Sequence, residues 1–487
     1  MKKALLTILI STVSSGLLAA PSAVSSYVGT LDYLDQTLTK TTADALQERM
    51  DLQRVSQLVV WSMPMVQFSE TVDAVYQTTG TTTTDTPIGL YQGYDGVYPF
   101  FTPNGVVPYT IGALDIQETG PVVLNLPEGM VYGVANNLWQ EPIAEFNTFK
   151  KTSYLFVGPN DEVPAEWDGE IVHTETNRVV WFFRVLSEGD EAKATSNQVE
   201  VYPYAKRNNP PQTQITPFSY AEFKAEGKTI FTNTPPTDMS YWEIVNRYVQ
   251  NEPMLDRDRF FYAWLSDMGI EKGKEFKPNE YQQRILKEGL EVGLAMAQAN
   301  SFNKDMPNVE YQSKKTGWHD VLANMDPKID LDTKSLFDER AAYTYEATTT
   351  SNGMVSKVAG KGSFYLGAYY DSDHNVLSGS NTYKLHIAPN VPAEHFWSIS
   401  LYDADTRLFT RNEQKRSDLN NRMPTLKLNS DGSTDMYFGP SLPEGVNEGN
   451  WIQTTPDKSF FLYFRSFGPG QELIDEVFPM TPVERIE

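Results

Sequence analysis

The stretch HFWSISLYDADTR, residues 395–407, indicates the kind of fold that this chain adopts. Large apolar side chains recur at every second position, which is typical of a β-strand because successive side chains point to opposite faces of a sheet. One face of the predicted strand carries Trp397, Ile399 and Leu401. Asp403 continues that face, so a run of core residues ends in a carboxylate. Such a group is either a catalytic acid or one half of a structural ion pair.

A second aromatic strand offers a partner for Asp403. In the stretch FFLYFRSF, residues 460–467, Arg465 shares a face with three aromatic residues. A guanidinium group on an apolar face is costly unless a partner compensates it. We therefore predict a structural ion pair between Asp403 and Arg465 that fixes the strand register. Arginine and carboxylate can pair through two parallel hydrogen bonds, which makes such a contact geometrically specific.

The same region supplies the candidates for ligand binding. Arg465 or Arg407 would bind a ligand carboxylate or sugar hydroxyl groups, and aromatic side chains would stack against the ligand. Asp405 and Arg407 lie one step further toward solvent than Asp403. The predicted ligand-binding residues are Tyr402, Asp405, Arg407, Trp451 and Arg465, with Tyr463 as a further stacking wall.

Paired carboxylates are the catalytic alternative. If the strand continues, Asp403 and Asp405 lie on one face about 7 Å apart, a separation that suits an inverting glycosidase pair. The sequence contains no G-x-S-x-G elbow, no HExxH zinc motif, no Walker loop and no dinucleotide fingerprint. The catalytic residues therefore stay unknown apart from these two carboxylates, and no cofactor is predicted.

A short acidic loop is the alternative metal site. Asp371, Asp373 and Asn375 occupy the first three odd positions of a calcium-binding loop. The sixth position is Val376, where the loop requires Gly, and the twelfth is Thr382, where it requires Glu. We therefore predict a plain turn between strands and no metal site, with a calcium site of another type as the alternative.

Short predicted strands fill two blocks of the chain, residues 96–207 and 341–487. Val97–Phe101 is such a strand in the first block, and Tyr343–Thr349 is one in the second. Many short strands at close spacing, separated by turn sequences, favour antiparallel sandwiches or barrels. Each block has an aromatic strand with one arginine, WFFRVL around Arg184 and FLYFRSF around Arg465. This likeness indicates two sandwiches built on one plan.

Helical segments precede and separate the two strand blocks. Residues 23–95 are predicted as a helical lead-in, in which a helix at Thr41–Trp61 is followed by an interruption at Pro64. Residues 208–340 are predicted as a linker, NNPPQTQITP, followed by a helical segment that packs against the sheets. The predicted fold is therefore mainly β with α, with two antiparallel β-sandwich domains and a helical segment between them.

Charge and cysteine content narrow the classes of partner. The chain has 487 residues and a formal net charge of −23, so a nucleic acid is not an expected partner. It contains no cysteine, which excludes disulfides and thiolate chemistry. Outside the N-terminus, no apolar run approaches the roughly 18 residues that a membrane span requires.

The N-terminus has the pattern of a secretory signal. Lys2 and Lys3 precede an apolar run from Ala4 to Leu18, and small residues follow. We predict that residues 1–22 are a signal peptide, with cleavage between Ala20 and Ala23. The expected location of the protein is the periplasm or the cell exterior.

Several stretches resemble a known pairing of domains. In the first block they are TPNG (102–105), ALDIQETGPVVLNLPE (113–128) and YLFVGPNDEVP (154–164). In the second block they are FWSISLYDADTR (396–407), DGS (431–433), NWIQTTP (450–456) and FFLYFRSFGP (460–469). The chain resembles bacterial secreted proteins that join two domains of unknown function, numbered twelve fifty-four and twelve fourteen. Many relatives read TPNNDT where this chain reads TPNGVV, so a role of that polar pair would not transfer.

The resemblance implies a fold but no activity. Members are similar to jelly-roll sandwich proteins, with one roll per domain, and jelly rolls host unrelated functions. Three hypotheses therefore stay open. The first is a protein that binds a carbohydrate or another small polar ligand. The second is a glycan-directed hydrolase or lyase, and the third is a scaffold that assembles into homo-oligomers.

Overall fold

The structure is a computed structural model that describes residues 23–26, 28–187, 189–304, 309–312 and 316–486. The predicted signal peptide, residues 1–22, lies outside the described residues. The chain divides into two compact units, Met1–Arg54 and Val55–Glu487, and the division falls within a long helix. In the first unit, strands β1 (Ala23–Ser26), β2 (Gly29–Leu34) and β3 (Thr37–Leu38) form an antiparallel sheet in that order.

The long helix α1 (Lys40–Thr79) corrects one expectation. The predicted interruption at Pro64 is wrong, because the helix continues to Thr79. A proline inside a helix removes one hydrogen bond at a cost of about 3 kcal/mol. Met63, Met65 and Val66 beside it are buried, and this burial outweighs the local cost. The carbonyl of Pro64 also accepts a hydrogen bond of 3.0 Å from the Gln140 side chain.

The first strand block of the second unit forms two sheets. Its elements are β4 (Ile88–Tyr91), β5 (Tyr109–Asp115), α2 (Ile116–Thr119), β6 (Val122–Leu126), β7 (Val131–Asn137), β8 (Pro142–Thr148), β9 (Thr152–Val157), β10 (Glu170–His173), β11 (Arg178–Val185), α3 (Gly189–Ser196), β12 (Glu200–Pro203) and β13 (Ile215–Phe218). The larger sheet has the order β13-β4-β5-β11-β7-β8, and the smaller has the order β10-β9-β6-β12. Most pairs are antiparallel, and β9–β10 and β4–β13 are parallel.

Helices follow, as the sequence predicted. They are α4 (Tyr220–Ala225), α5 (Ser240–Asn251), α6 (Arg259–Asp267) and α7 (Glu280–Asn303). Local sequence explains their ends. Asn279 and Gln282 form a reciprocal capping box at the start of α7. Gly269, with a φ of +86°, follows the end of α6.

The second strand block again forms two sheets. Its elements are β14 (Trp318–Asp320), α8 (Phe337–Glu346), α9 (Asn352–Val355), β15 (Ser363–Ala368), β16 (Tyr383–Ile387), β17 (Ala393–Asp403), β18 (Asp418–Asn420), β19 (Thr434–Gly439), β20 (Trp451–Gln453), β21 (Phe460–Pro469), α10 (Gln471–Ile474) and β22 (Glu484–Arg485). The larger sheet has the order β14-β15-β21-β17-β18, and the smaller has the order β20-β19-β16-β22. The β19–β20 pair is parallel.

Buried side chains give each block its own core and join the blocks through a third. Within the first block, Trp181 and Phe183 pack with the smaller sheet. Within the second block, Leu462 and Phe464 do the same. The opposite faces of both larger sheets share one large core with helices α5 to α7. The predicted fold class is confirmed, while the jelly-roll strand order and the domain boundaries stay predictions.

Two predicted strands are wrong. Residues 97–101 form irregular chain with bends, and residues 343–346 belong to helix α8. The sequence DERAAYTYE is rich in helix formers, and its Arg340, Ala341 and Thr344 are buried at helical spacing. The alternation of Tyr343 and Tyr345 is typical of a strand, but burial of one helical face in the tertiary structure favours the helix. Across the described residues, the helices lack an apolar stretch of the length that crossing a membrane requires.

Candidate functional site

Side chains from the two larger sheets line one cavity inside the second unit, which we call the inner cavity. The empty space between its walls is about 710 Å³, open solvent included. Aromatic residues dominate its walls: Phe100, Phe101, Tyr109, Phe182, Tyr343, Tyr365 and Tyr463. The remaining apolar lining is Ile111, Val180, Val321, Leu322, Ala347 and Met354, and the polar lining is Thr71, Thr102, Thr348, Thr349, Arg184 and Arg465. A concave, mostly apolar space with a few polar groups is the usual form of a small-molecule site.

Strand alternation delivers the two arginines to this cavity. On β11, Trp181 and Phe183 enter the core of the first sandwich, so Phe182 and Arg184 point to the other face. On β21, Leu462 and Phe464 enter the core of the second sandwich. Tyr463 and Arg465 therefore point to the other face, toward the inner cavity. The likeness between WFFRVL and FLYFRSF therefore has a structural meaning, since both arginines end at the same cavity.

Arg465 is buried and held by two hydrogen bonds. Its terminal nitrogens donate to the Tyr402 hydroxyl at 2.6 Å and to the Thr102 carbonyl at 2.7 Å. Its guanidinium carbon lies 5.0 Å from the ring centre of Tyr463 and 5.6 Å from that of Tyr365. Cation–π contacts of this kind further stabilise the buried guanidinium group. Arg465 thus links the second block to the TPNG loop of the first.

Arg184 has a different environment. It is half-buried, and its Nε atom is buried without a hydrogen-bond partner in the described part of the chain. Its guanidinium carbon lies 5.2 Å from the ring centre of Tyr109 and 5.0 Å from that of Phe467. Among the described residues, aromatic faces contact this cation and no acceptor pairs with its Nε atom. Within that part of the chain this donor is available to a ligand.

The charge of the inner cavity is positive only. Within the described ranges, its lining includes two guanidinium groups and no Asp or Glu. Among the described residues, neither Arg184 nor Arg465 forms an ion pair with a carboxylate. Taking a cation out of water costs several kcal/mol unless a counter-charge compensates it. An anionic ligand would supply that counter-charge.

Backbone strain marks the same cavity wall. Thr102 and Thr349 have φ values of +43° and +69°. Such values are unfavourable for a β-branched residue, and strained positions of this kind cluster at ligand sites. The Thr102 carbonyl binds Arg465, and the Thr349 carbonyl accepts from the Tyr343 hydroxyl at 2.7 Å. Burial raises the pKa of Tyr343 well above its ordinary value, so its phenol stays protonated.

The predicted ion pair between Asp403 and Arg465 is wrong. Ser398 lies directly opposite Arg465 in the β17–β21 pair, so Arg465 shares the face of Ser398 and Tyr402. Asp403 lies on the other face, where its Oδ2 atom accepts from Lys458 at 2.7 Å. The predicted alternation of each strand holds, but the relation between the two faces was not visible in the sequence.

Asp403 has the contacts of a structural carboxylate. Its Oδ1 atom accepts from the backbone N–H groups of Asp405 and Thr406, each at 2.9 Å. Burial by itself would raise the pKa of Asp403. The hydrogen bond from Lys458 and the two backbone N–H groups prevail and hold that pKa below its ordinary value. These contacts favour an ionised turn-capping group over a general acid.

The other predicted ligand residues do not form one site, although Arg407 also donates to the Asp405 carbonyl. Tyr402 and Arg465 are in contact, as described above. Arg407 is buried, donates to the Tyr345 carbonyl at 3.0 Å and stacks on Phe101. Asp405 instead lines an open cleft. Trp451 is buried in the smaller sheet of the second block, where its indole N–H donates to the Gly439 carbonyl at 3.1 Å.

The acidic loop at Asp371 has the geometry of a turn. The Asp371 Oδ1 atom accepts from the backbone N–H groups of Asp373 and Asn375, at 3.0 and 2.8 Å. These bonds direct that oxygen into the loop. In the described ranges, no group of three or more His, Asp or Glu residues is arranged to hold a metal ion.

Sequence reasoning missed Arg184 as a member of the site. The signal was present in the shared pattern of the two aromatic strands, but the sequence did not show that both strands border one space. The threonines and Tyr343 were also missed, because they lie in segments that were predicted as loop or strand. Long-range packing brings these residues together.

A solved structure shares the fold. The crystal structure of the VPA0106 protein from Vibrio parahaemolyticus is 18% identical to this chain, with a TM-score of 0.54, and the match covers 90% of this chain and 100% of that one. An uncharacterised protein from Burkholderia cenocepacia is 9% identical with a TM-score of 0.40, over 91% and 96% of the two chains. No protein of curated function matches. At this identity the first likeness concerns fold alone.

Family models match the two strand blocks. Residues 95–203 match the family model DUF1254, and residues 362–471 match the family model DUF1214. Both families are described as proteins of unknown function. The inner cavity is lined from both regions, by Arg184 in the first and by Arg465 in the second. The chain therefore pairs a DUF1254 region with a DUF1214 region, in the order that the sequence predicted.

Proposed function

We propose that the protein binds a small organic anion in the inner cavity. The ligand has an apolar or aromatic body and a carboxylate that meets Arg184 and Arg465. The observation that carries this proposal is the charge of the lining, which has two guanidinium groups and no carboxylate. Arginine presents a planar fork of donors that matches a carboxylate.

The two arginines have different roles in this proposal. Arg465 uses two of its donors within the protein, so it contributes a fixed positive charge at the cavity wall. Arg184 has no carboxylate or hydroxyl partner among the described residues, so it supplies the main hydrogen bonds to the ligand. The aromatic walls then contact the body of the ligand.

Titration calorimetry with benzoate and its neutral isostere benzamide tests the proposal. We expect benzoate to bind and benzamide to bind at least tenfold more weakly, because hydrogen bonds to charged groups contribute about 1.5–3 kcal/mol. Arg184→Gln should weaken benzoate binding by about tenfold or more. The matched control is Arg259→Gln, since the Arg259 side chain is 68% exposed and lies outside the cavity.

Two outcomes contradict the proposal. One is equal binding of benzoate and benzamide, which would show that the positive charge is not used. The other is an unchanged benzoate affinity in Arg184→Gln with a normally folded protein. Arg184 makes no hydrogen bond to a described residue, so this variant should fold.

The place of action is also part of the proposal. Residues 1–22 have the composition of a signal peptide, so the protein would bind its ligand in the periplasm or outside the cell. N-terminal sequencing of protein from a periplasmic extract tests this. An N-terminus between residues 21 and 23 would support it, and an intact Met1 would contradict it.

Glycan binding at the cleft beside Asp405 is a second candidate function. Three aromatic side chains, Phe302, Tyr345 and Tyr370, line this open cleft together with polar groups such as Gln298 and Asp405. Aromatic faces beside carboxylates and amides suit sugars, which combine an apolar face with hydroxyl groups. A glycan array tests it, with Tyr370→Ala expected to lose any signal. An array without hits removes this candidate.

A further inference from the structure

A second space adjoins the inner cavity, and we call it the outer cleft. It contains about 1430 Å³, including solvent at its open side. Phe182, Arg184 and Met354 line both spaces. These three residues therefore form a shared wall, which we call the neck, between the positively charged inner cavity and the outer cleft.

The outer cleft is apolar and close to neutral in charge. Phe149 and Val358 line it with 58% and 45% of their surface exposed, and Leu186 and Phe467 add further apolar area. Its charged lining beyond the neck combines Lys361 with Glu145. An anion therefore gains more from the inner cavity than from the outer cleft. Apolar chains gain from the cleft because they cover side chains that water now contacts.

We infer that the ligand is an amphipathic carboxylate whose anionic head lies in the inner cavity and whose apolar tail passes the neck into the outer cleft. This inference rests on the proposed function and adds the length and polarity of the ligand. The shared lining of the two spaces is its basis: Phe182 and Met354 border both, and Phe149 and Val358 lie on the cleft side. A small molecule is the expected occupant rather than a protein partner, because the cleft adjoins a concave, mostly apolar cavity with a few polar groups.

The test measures affinity along a series of straight-chain carboxylates, from butyrate to dodecanoate, below their micelle concentrations. Each methylene that enters the outer cleft should raise affinity by about fourfold. Met354→Trp should narrow the neck and weaken decanoate binding at least tenfold more than it weakens benzoate binding, because Met354 borders both spaces. The matched control is Met296→Trp, since Met296 is 39% exposed and borders neither space.

A second variant addresses the cleft itself. Phe149→Ser combined with Val358→Ser removes two exposed apolar side chains, so the fold should persist. Decanoate binding should weaken about tenfold in this variant, while benzoate binding stays unchanged. If benzoate binds but affinity does not rise with chain length, this inference fails and the anion site survives. If affinity rises but neither variant lowers it, the tail lies elsewhere and the inference also fails. If no carboxylate binds, both proposals fail.

Discussion

The two arginine-bearing strands, β11 and β21, have the same pattern and different chemistry. Each places one arginine on the face toward the inner cavity, and each buries its other face in a sandwich core. Arg465 donates to Tyr402 and Thr102, whereas Arg184 has aromatic contacts and a buried Nε atom without a partner in the described chain. The comparison teaches that equal sequence patterns can yield one structural cation and one available cation.

Surroundings cause this difference. The TPNG loop approaches Arg465, and its Thr102 and Pro103 carbonyls receive bonds from Arg465 and Tyr402. At the corresponding place beside Arg184 the structure has the rings of Tyr109 and Phe467, and Arg184 also lines the outer cleft. A cation that is satisfied by the protein stabilises the fold, whereas one that is not satisfied favours a ligand.

The largest expected effect comes from removing the structural cation. Arg465→Met should lower the free energy of unfolding by about 3 kcal/mol, because it leaves the Tyr402 hydroxyl and the Thr102 carbonyl without their donor in a buried place. Arg184→Met should cost less than about 1 kcal/mol, because no hydrogen bond to a described residue is lost. Urea denaturation of both variants measures the difference. Equal losses would remove the distinction between the two arginines.

The next effect comes from the titration of a buried carboxyl group, Glu252, near the start of β11. The Glu252 Oε2 atom accepts from the backbone N–H of Asn177, next to the first residue of β11, at 2.6 Å. Burial raises the pKa of Glu252 to about 7, although that hydrogen bond and Arg178 lower it. The pKa of Glu252 is higher in the folded protein than in the unfolded chain, so the protonated side chain favours folding. This contribution to the free energy of unfolding is full below about pH 4.5 and is lost as pH rises through 7. The loss should be about 3 kcal/mol.

Glu252→Gln isolates this titration. The amide resembles the protonated acid, so the variant should be more stable than the native protein at pH 8 and similar to it at pH 5. Urea midpoints at several pH values measure this. The control is Glu226→Gln, whose side chain is 55% exposed, and it should follow the native profile. A Glu252→Gln profile that parallels the native one would contradict the assignment.

Strand faces could be predicted from the sequence, but strand partners could not. The alternation in β17 and β21 was read correctly, since side chains repeat every two residues. Which faces meet depends on register, and a shift of one residue reverses every side chain. The sequence does not give the register between β17 and β21, so it does not show whether Asp403 and Arg465 lie on the same face. The structure places them on opposite faces, and the predicted pair is wrong.

The site was predictable in part for a related reason. Arg465 and Tyr402 were predicted as ligand residues; Arg465 lines the cavity and is hydrogen-bonded to Tyr402 behind it. Trp451 was predicted as a stacking residue from its aromatic side chain alone, and packing places it in a different sheet. Arg184 comes from a strand hundreds of residues away, so nothing local indicated that it shares a cavity with Arg465. Local patterns specify elements, whereas a cavity depends on how distant elements meet.

A smaller effect is expected for the hydroxyl that supports Arg465. Tyr402→Phe removes the acceptor of Arg465 and the donor to the Pro103 carbonyl, so it should cost about 1–2 kcal/mol in unfolding free energy. Tyr91→Phe is the matched control, because the buried Tyr91 hydroxyl has no partner among the described residues. Its loss should be close to zero. Thermal or urea unfolding that ranks the two variants equally would show that the Arg465 bonds contribute little.

The smallest effect concerns the carboxylate first assigned to Arg465. Lys458→Met should cost less than about 1 kcal/mol, because the Lys458 side chain is 52% exposed and exposed ion pairs contribute little. Asp403→Asn should cost about 1 kcal/mol, since the amide oxygen can still accept from Asp405 and Thr406. Both losses should shrink in 1 M salt, which screens the pair. If Asp403 were the partner of Arg465, Asp403→Asn would instead destabilise as strongly as Arg465→Met, at every salt concentration, and Lys458→Met would be silent.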